Sequence, residues 1–317
     1  MLYRALFRPL LGAFSPEAPM NLLLKLTLFL GRFLPLNPLI RWTHRKRGKR
    51  FTREVFGLHF PNPVGLAAGI DRNGEYIDIF SHFGFGFVEI GSLTARPEVG
   101  LPRTAPAHPN KGVRNAISNL TLRSERSREE TPLPVGVNIA AQAHSLTEAE
   151  LTGDYRSAFA LMYDFADFFV INLTDPVRDL AGGIQSDPDL LSDIVDEILD
   201  MRLCYDVYKP VLLKISSGLS SDLLEYIVDY ARMAGVDGIV TGSATGKEES
   251  DATERTLSAV RFIHERTKGR LPVIAGGGIR TPGDARAALE AGAALVEVGP
   301  ALYTRGPKIA KKILKHL

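Results

Sequence analysis

From Phe51 onward the chain alternates short, continuous apolar runs with longer stretches of helical periodicity. Eight runs have the length of strands: Val64–Ala68, Phe87–Leu93, Val135–Ile139, Phe168–Leu173, Val211–Ile215, Gly238–Thr241, Val273–Ala275 and Leu295–Val298. Most lack polar alternation, as expected of parallel strands covered on both faces. Helical patterns lie between most of them, among them Leu190–Leu203, Asp222–Ala234, Thr256–Thr267 and Pro282–Ala291. Strand–helix alternation builds βαβ units with right-handed crossovers, and eight such units close into a (β/α)8 TIM barrel. A doubly wound open sheet is the competing arrangement, but no GxGxxG follows the first run to support it. Phe56-Gly57-Leu58-His59-Phe60 ends at the turn signal Pro61-Asn62-Pro63 and reads as part of a hairpin.

The first fifty residues follow another pattern. Met1 to Thr43 is rich in Leu and Phe but interrupted by charges and prolines, Lys25, Arg32 and Pro35 among them. No apolar run reaches the roughly 20 residues that span a bilayer. No small-residue cleavage site follows Asn21–Arg32, which argues against a signal peptide. A basic cluster comes next: Arg41, His44, Arg45, Lys46, Arg47, Lys49 and Arg50. Short amphipathic helices beside such a cluster suit an anionic membrane surface. The alternative is a helical cap packed on the domain, with the charges as its solvated face. The expected organisation is an N-terminal helical extension, residues 1–50, followed by a barrel, residues 51–317. The expected location is cytoplasmic, peripheral to the inner face of the membrane.

Composition narrows the function. A net charge of +2 over 317 residues argues against nucleic acid as a partner. One cysteine, Cys204, excludes an intrachain disulfide and a cysteine-based metal cage. In a barrel the chemistry belongs at the strand C-termini. Those ends read Ala67-Ala68-Gly69 with Asp71 and Arg72, Gly91-Ser92, Asn138, Asn172-Leu173-Thr174-Asp175, Lys214, Thr241-Gly242-Ser243, Gly276-Gly277-Gly278 and Gly299-Pro300. Amides, small residues and one lysine dominate, without metal-ligand spacing, so no catalytic metal is expected.

The glycine triplet ends the seventh run, and Pro282-Gly283-Asp284 opens the next helix. Glycines there let backbone amides approach an anion beside a helix N-terminus, and Gly299 offers a second close approach. Loops after the seventh and eighth strands are the usual phosphate site of barrels. The other strand ends then favour a flavin, FMN, with Lys214 placing positive charge beside the electron-rich edge of the ring. An ordinary salt-bridged strand-end lysine is the alternative reading of Lys214.

These residues carry a resemblance. Asn62-Pro63-Val64-Gly65-Leu66-Ala67-Ala68-Gly69-Ile70-Asp71-Arg72-Asn73-Gly74-Glu75 resembles the first-strand signature of dihydroorotate dehydrogenases, and Gly84–Pro97 the second. Gly136-Val137-Asn138-Ile139, Ile171-Asn172, Leu213-Lys214-Ile215 and Gly276-Gly277-Gly278-Ile279 match later strands. The N-terminal extension is similar to that of the membrane-associated, quinone-using class 2 enzymes. The resemblance implies an FMN barrel of pyrimidine biosynthesis, in which dihydroorotate loses a proton to a base and a hydride to FMN. A quinone arriving through the N-terminal helices then takes the electrons. It assigns Ala67, Ala68, Gly69, Ser92, Asn138, Asn172, Lys214, Gly277, Gly278 and Gly299 to the flavin. Arg72, Asn115 and Asn172 would face the small-molecule substrate, and Asp175 with Lys214 would carry the catalysis.

The departures bear on that assignment. Arg72 stands where the family has a substrate lysine, which keeps the charge but changes its reach. The loop expected after the second strand reads Arg114-Asn115-Ala116-Ile117-Ser118-Asn119. Asp175 takes the place of the class 2 serine base and Val177 that of a substrate asparagine. Gly242 replaces an asparagine, Gly246–Asp251 a glycine-rich phosphate loop, and Gly299-Pro300 a Tyr-Ser/Thr pair. Asp175 reads either as a general base or as a turn residue before Pro176. Two other functions stay open: an FMN oxidoreductase with another substrate, and a non-catalytic relative that binds a flavin, a phosphate or a partner protein.

Overall fold

Phe60 closes the bottom of the molecule. It is fully buried, with its ring edge-on to Phe87 at 5.4 Å and to Phe168 at 6.3 Å between centroids. The hairpin that delivers it pairs β1 (Arg53–Val55) with β2 (Leu58–Phe60), antiparallel. This is the hairpin expected around Phe56–Phe60. The computed structural model describes residues 17–30, 51–98, 110–126, 133–143, 145, 147–174, 183–242 and 251–317.

Above the hairpin stand β3 (Val64–Leu66), β4 (Phe87–Leu93), β5 (Val135–Ile139), β6 (Phe168–Asn172), β7 (Val211–Ser216), β8 (Gly238–Gly242), β9 (Val273–Ala275) and β10 (Leu295–Val298). Every neighbour is parallel and β10 pairs with β3, so the eight strands close into a barrel. Each falls within or beside an expected run. The interior needs room for the aromatic plug: a Cβ on Gly65 would fall on the Phe87 ring, and one on Gly136 on the Phe168 ring. Burying a ring of that size contributes about 2–3 kcal/mol.

The outer helices start and stop where side chains satisfy their ends. Thr281 and Asp284 form a capping box for Pro282–Glu290, with proline in the first turn. Ser220 caps Ser221–Ala234, which ends on Gly235 in the left-handed conformation. Ahead of the hairpin, helix Ala18–Leu30 packs Met20 and Leu24 into the main core. Its other side leaves Leu22, Leu26, Leu28 and Phe29 exposed. Among the described residues, no helix is long and apolar enough to cross a membrane.

Candidate active site

The pleat turns alternate side chains into the barrel, and the character of those side chains changes from bottom to top. Phe87, Val170, Leu212, Val240, Ile274 and Leu295 form the apolar lower layer. Two residues further along, the same strands present Glu89, Asn172, Lys214, Gly242, Gly276 and Glu297. Asn138 joins them from β5, bonded to Glu89. Higher still, Ala67 and Gly299 meet at the mouth, where a Cβ on Gly299 would stand 3.7 Å from that of Ala67. A charged and amide-bearing floor therefore lies beneath a rim of residues with little or no side chain.

Glu89 organises the floor. Its Oε1 accepts a hydrogen bond from Asn138 Nδ2 at 2.7 Å and lies 3.5 Å from Lys214 Nζ. Glu297 meets Glu89 from β10. Burial above all, then the adjacent Glu89 carboxylate, pushes the Glu297 carboxyl well above the usual range, with Lys214 opposing. The Lys214 side chain is 14% exposed, so the ammonium is paired yet within reach of the mouth.

Asn172 is fixed on three sides. Its Nδ2 donates to Ser92 Oγ at 2.9 Å, its Oδ1 accepts from the backbone and hydroxyl of Thr174, and its carbonyl accepts the Tyr155 hydroxyl at 2.5 Å. Asn138 Oδ1 and Arg72 Nε are among the buried polar atoms that have no hydrogen-bond partner among the described residues. Ala67, Ala68, Gly69 and Arg72 are half-buried on the loop after β3. That loop is tied down by Gly69 N–H to Gly91 O at 2.6 Å. Asp71 braces it from beneath, accepting the Glu75 and Tyr76 amides at 2.8 Å each. Burial raises the Asp71 pKa to about 6 in spite of those bonds.

Gly277 and Gly278 have φ of 81° and 72°, which favours glycine. A Cβ on Gly278 would collide with the backbone of Thr253, in the first turn of helix Ala252–Thr267. The Thr253 hydroxyl donates to Gly278 O at 2.8 Å and accepts from Arg280 Nη2 at 3.3 Å. A glycine turn, a helix N-terminus and a guanidinium thus converge, an electrostatic setting that suits an anion.

Asn115 is not in a loop. It lies on helix Gly112–Arg126, so the expectation of a loop across residues 114–119 is corrected. Asn119, one turn on, donates to Asn115 Oδ1 at 3.3 Å and to Asn73 O at 2.9 Å. That ties Asn115 to the loop carrying Arg72. Asp175 and Val177 lie outside the described residues, as do residues 246–250 of the segment Gly246–Asp251 that replaces the phosphate loop. The sequence reading did not single out Glu89 and Glu297. Their signal was a lone carboxylate inside an apolar strand run, at the parity that faces the barrel.

Fold and site together define the class: a (β/α)8 barrel whose lysine-bearing floor lies under a glycine-rich mouth. A family model described as dihydroorotate dehydrogenase matches residues 50–317. The chain belongs to the dihydroorotate dehydrogenase family. It resembles the quinone-dependent enzymes of that family over nearly its whole length. The dihydroorotate dehydrogenase (quinone) of Thermosynechococcus vestitus is 32% identical over 99% of this chain and 96% of its own. That of Methylococcus capsulatus is 32% identical over 99% and 98%. A crystal structure of the Eimeria tenella enzyme in complex with ferulenol has the same fold, with a TM-score of 0.77 and 24% identity over 88% of this chain and 89% of its own.

Proposed function

We propose that the chain holds FMN at this site, oxidises dihydroorotate to orotate, and passes the electrons to a quinone. The convergence of Lys214, Asn138 and Asn172 on one layer beneath the rim carries the proposal. The residues fit the cofactor. Ala67, Gly242, Gly276 and Gly299 leave a shelf that larger side chains would fill. The Asn138 Oδ1 that lacks a partner offers an acceptor beside it. Gly277 and Gly278, with the N-terminus of helix Ala252–Thr267, would hold the phosphate, and Ala68, Gly69 and Ser92 would flank the ring. When bound, FMN supplies the two-electron acceptor.

The chain's own groups do the rest. Lys214 would place a positive charge where electron density accumulates, in a site too dry for water to screen it. Asn172 would present a rigid amide edge, its rotamer fixed from three sides. Arg72 and Asn115 would face the substrate's polar edges from the loop after β3 and its neighbouring helix. Asp175, three residues beyond the end of β6, would take the proton that leaves dihydroorotate, as a carboxylate can near neutral pH.

Residues 1–50 would form an extension distinct from the 51–317 barrel and seat it on the inner face of the membrane. The apolar face of helix Ala18–Leu30, turned away from the core, supports that reading, and quinone would enter there. Pyrimidine synthesis is the corresponding role.

The test is direct. Purified protein should carry one FMN by its visible absorbance, dihydroorotate should bleach it without oxygen, and a soluble quinone should restore it. A colourless protein that FMN cannot reconstitute would contradict the cofactor. A flavin that dihydroorotate leaves oxidised would contradict the substrate.

A further inference from the structure

Two carboxyls face one ammonium in the barrel floor, and the set is unbalanced if both are ionised. Glu89 is 0% exposed and Glu297 1% exposed, so water stabilises neither charge. Lys214 and Asn138 both address the same oxygen of Glu89, Oε1. Its other oxygen, Oε2, and Glu297 Oε1 have no hydrogen-bond partner among the described residues. The two carboxyls stand in one inward-facing layer, on strands that flank β3 in the closed barrel, and a hydrogen bond between two carboxyls requires a proton on one of them. On β3, between β4 and β10, Gly65 lies beside Glu297 in register and leaves its own space to the Phe87 ring. Gly276 adds only backbone beside Glu297, where a Cβ would come within 3.4 Å of Oε2. The charged groups acting on Glu297 are therefore Glu89 from β4 and Lys214 from β7.

We propose that Glu297 is a positioning residue that shares one proton with Glu89, so that the pair carries a single negative charge matched to Lys214. One proton gives the pair a donor that neither carboxylate has when ionised. The floor is then neutral as a whole, and Lys214 is held by one carboxylate instead of being pulled between two. With both carboxyls ionised, the floor would be net negative and would oppose the electron-rich ring that the proposed function places above it. The consequence for catalysis rests on that reading; the shared proton does not.

Infrared difference spectra of protein carrying 13C-labelled glutamate test it at neutral pH, on the protein as purified. The wild type should show one protonated-carboxyl band that Glu297→Gln removes. Glu89→Gln should move the band to another frequency, because the protonated carboxyl then loses its carboxylate partner. A band that stays at the same frequency in Glu89→Gln would mean that the proton is not shared with Glu89, and would overturn the proposal. No band, or intensity equal to two carboxyls, in the wild type would overturn it as well. If Glu89→Gln does not fold, the pH dependence of stability decides. The native pair binds the extra proton, so wild-type stability should fall as pH rises through its titration. Glu297→Gln, which keeps a donor without the proton, should lack that fall, and an unchanged fall would overturn the proposal. None of these readouts requires dihydroorotate turnover, so failure here and failure of the substrate assignment are distinguishable.

Discussion

Lys214 Nζ stands 3.5 Å from Glu89 Oε1, and the carboxylate it faces is wholly inaccessible to solvent. Removing the cation leaves that buried charge without its counter-ion, although Asn138 still donates to it. Lys214→Met should therefore destabilise the apoprotein by about 3 kcal/mol at neutral pH, as expected when one partner of a buried ion pair is deleted. Urea unfolding of the two proteins at neutral pH measures it. Equal midpoints at neutral pH would mean that the pair is solvated.

Gly278→Ala addresses the phosphate end. The new Cβ would collide with Thr253 at a φ of 72°, a conformation costing an alanine about 1–2 kcal/mol by itself. Displacing the first turn of helix Ala252–Thr267 should weaken FMN binding at least tenfold, about 1.4 kcal/mol. Fluorescence titration of apoprotein with FMN reads this. Unchanged affinity would place the phosphate elsewhere.

Asp71 gives stability a pH dependence of definite sign. Its native pKa is raised from 3.8 to about 6, so the native state binds the proton more tightly than the unfolded chain. That contribution is fully present below pH 3.8 and is lost as pH rises through about 6. Asp71→Asn, uncharged throughout, should gain on the wild type across that window by up to about 3 kcal/mol. A constant offset is expected as well, since the amide cannot accept both the Glu75 and Tyr76 N–H groups. Parallel stability–pH curves would contradict the assignment.

The outer face of helix Ala18–Leu30 can be altered without touching its packing. Leu22→Glu with Phe29→Glu should abolish binding to anionic vesicles, judged by sedimentation, and leave the thermal midpoint within about 1–2 °C, because surface changes cost little. Truncating residues 1–50 is the poorer test, since it also removes Met20 and Leu24 from the core. Undiminished binding by the double variant would count against the membrane-facing role.

How far the sequence carried depended on burial. The eight barrel strands were legible because strands covered on both faces read as unbroken apolar runs, and Phe168–Asn172 or Val211–Ser216 could be little else. Strand ends gave the site for the same reason: in a closed barrel Lys214, Asn138 and Asn172 have one place to converge. The helix at Gly112–Arg126 was missed where a family motif led to a loop, although Val113, Ala116, Ile117 and Leu120 carry the apolar spacing of an amphipathic helix and pack on the core. Glu89 and Glu297 were missed because a carboxylate inside an apolar run acquires meaning only once the pleat shows which way it points. Which residue bonds which could not be read at all, for Asn172 and Ser92 lie 80 positions apart and meet only across the closed barrel.

Rapid mixing of the purified, FMN-loaded protein with dihydroorotate under anaerobic conditions tests the central claim most directly. The flavin absorbance should bleach in the wild type and at least a hundredfold more slowly in Lys214→Ala, a loss of about 3 kcal/mol in barrier stabilisation. A flavin that stays fully oxidised in the wild type, or bleaches equally fast without Lys214, would contradict it.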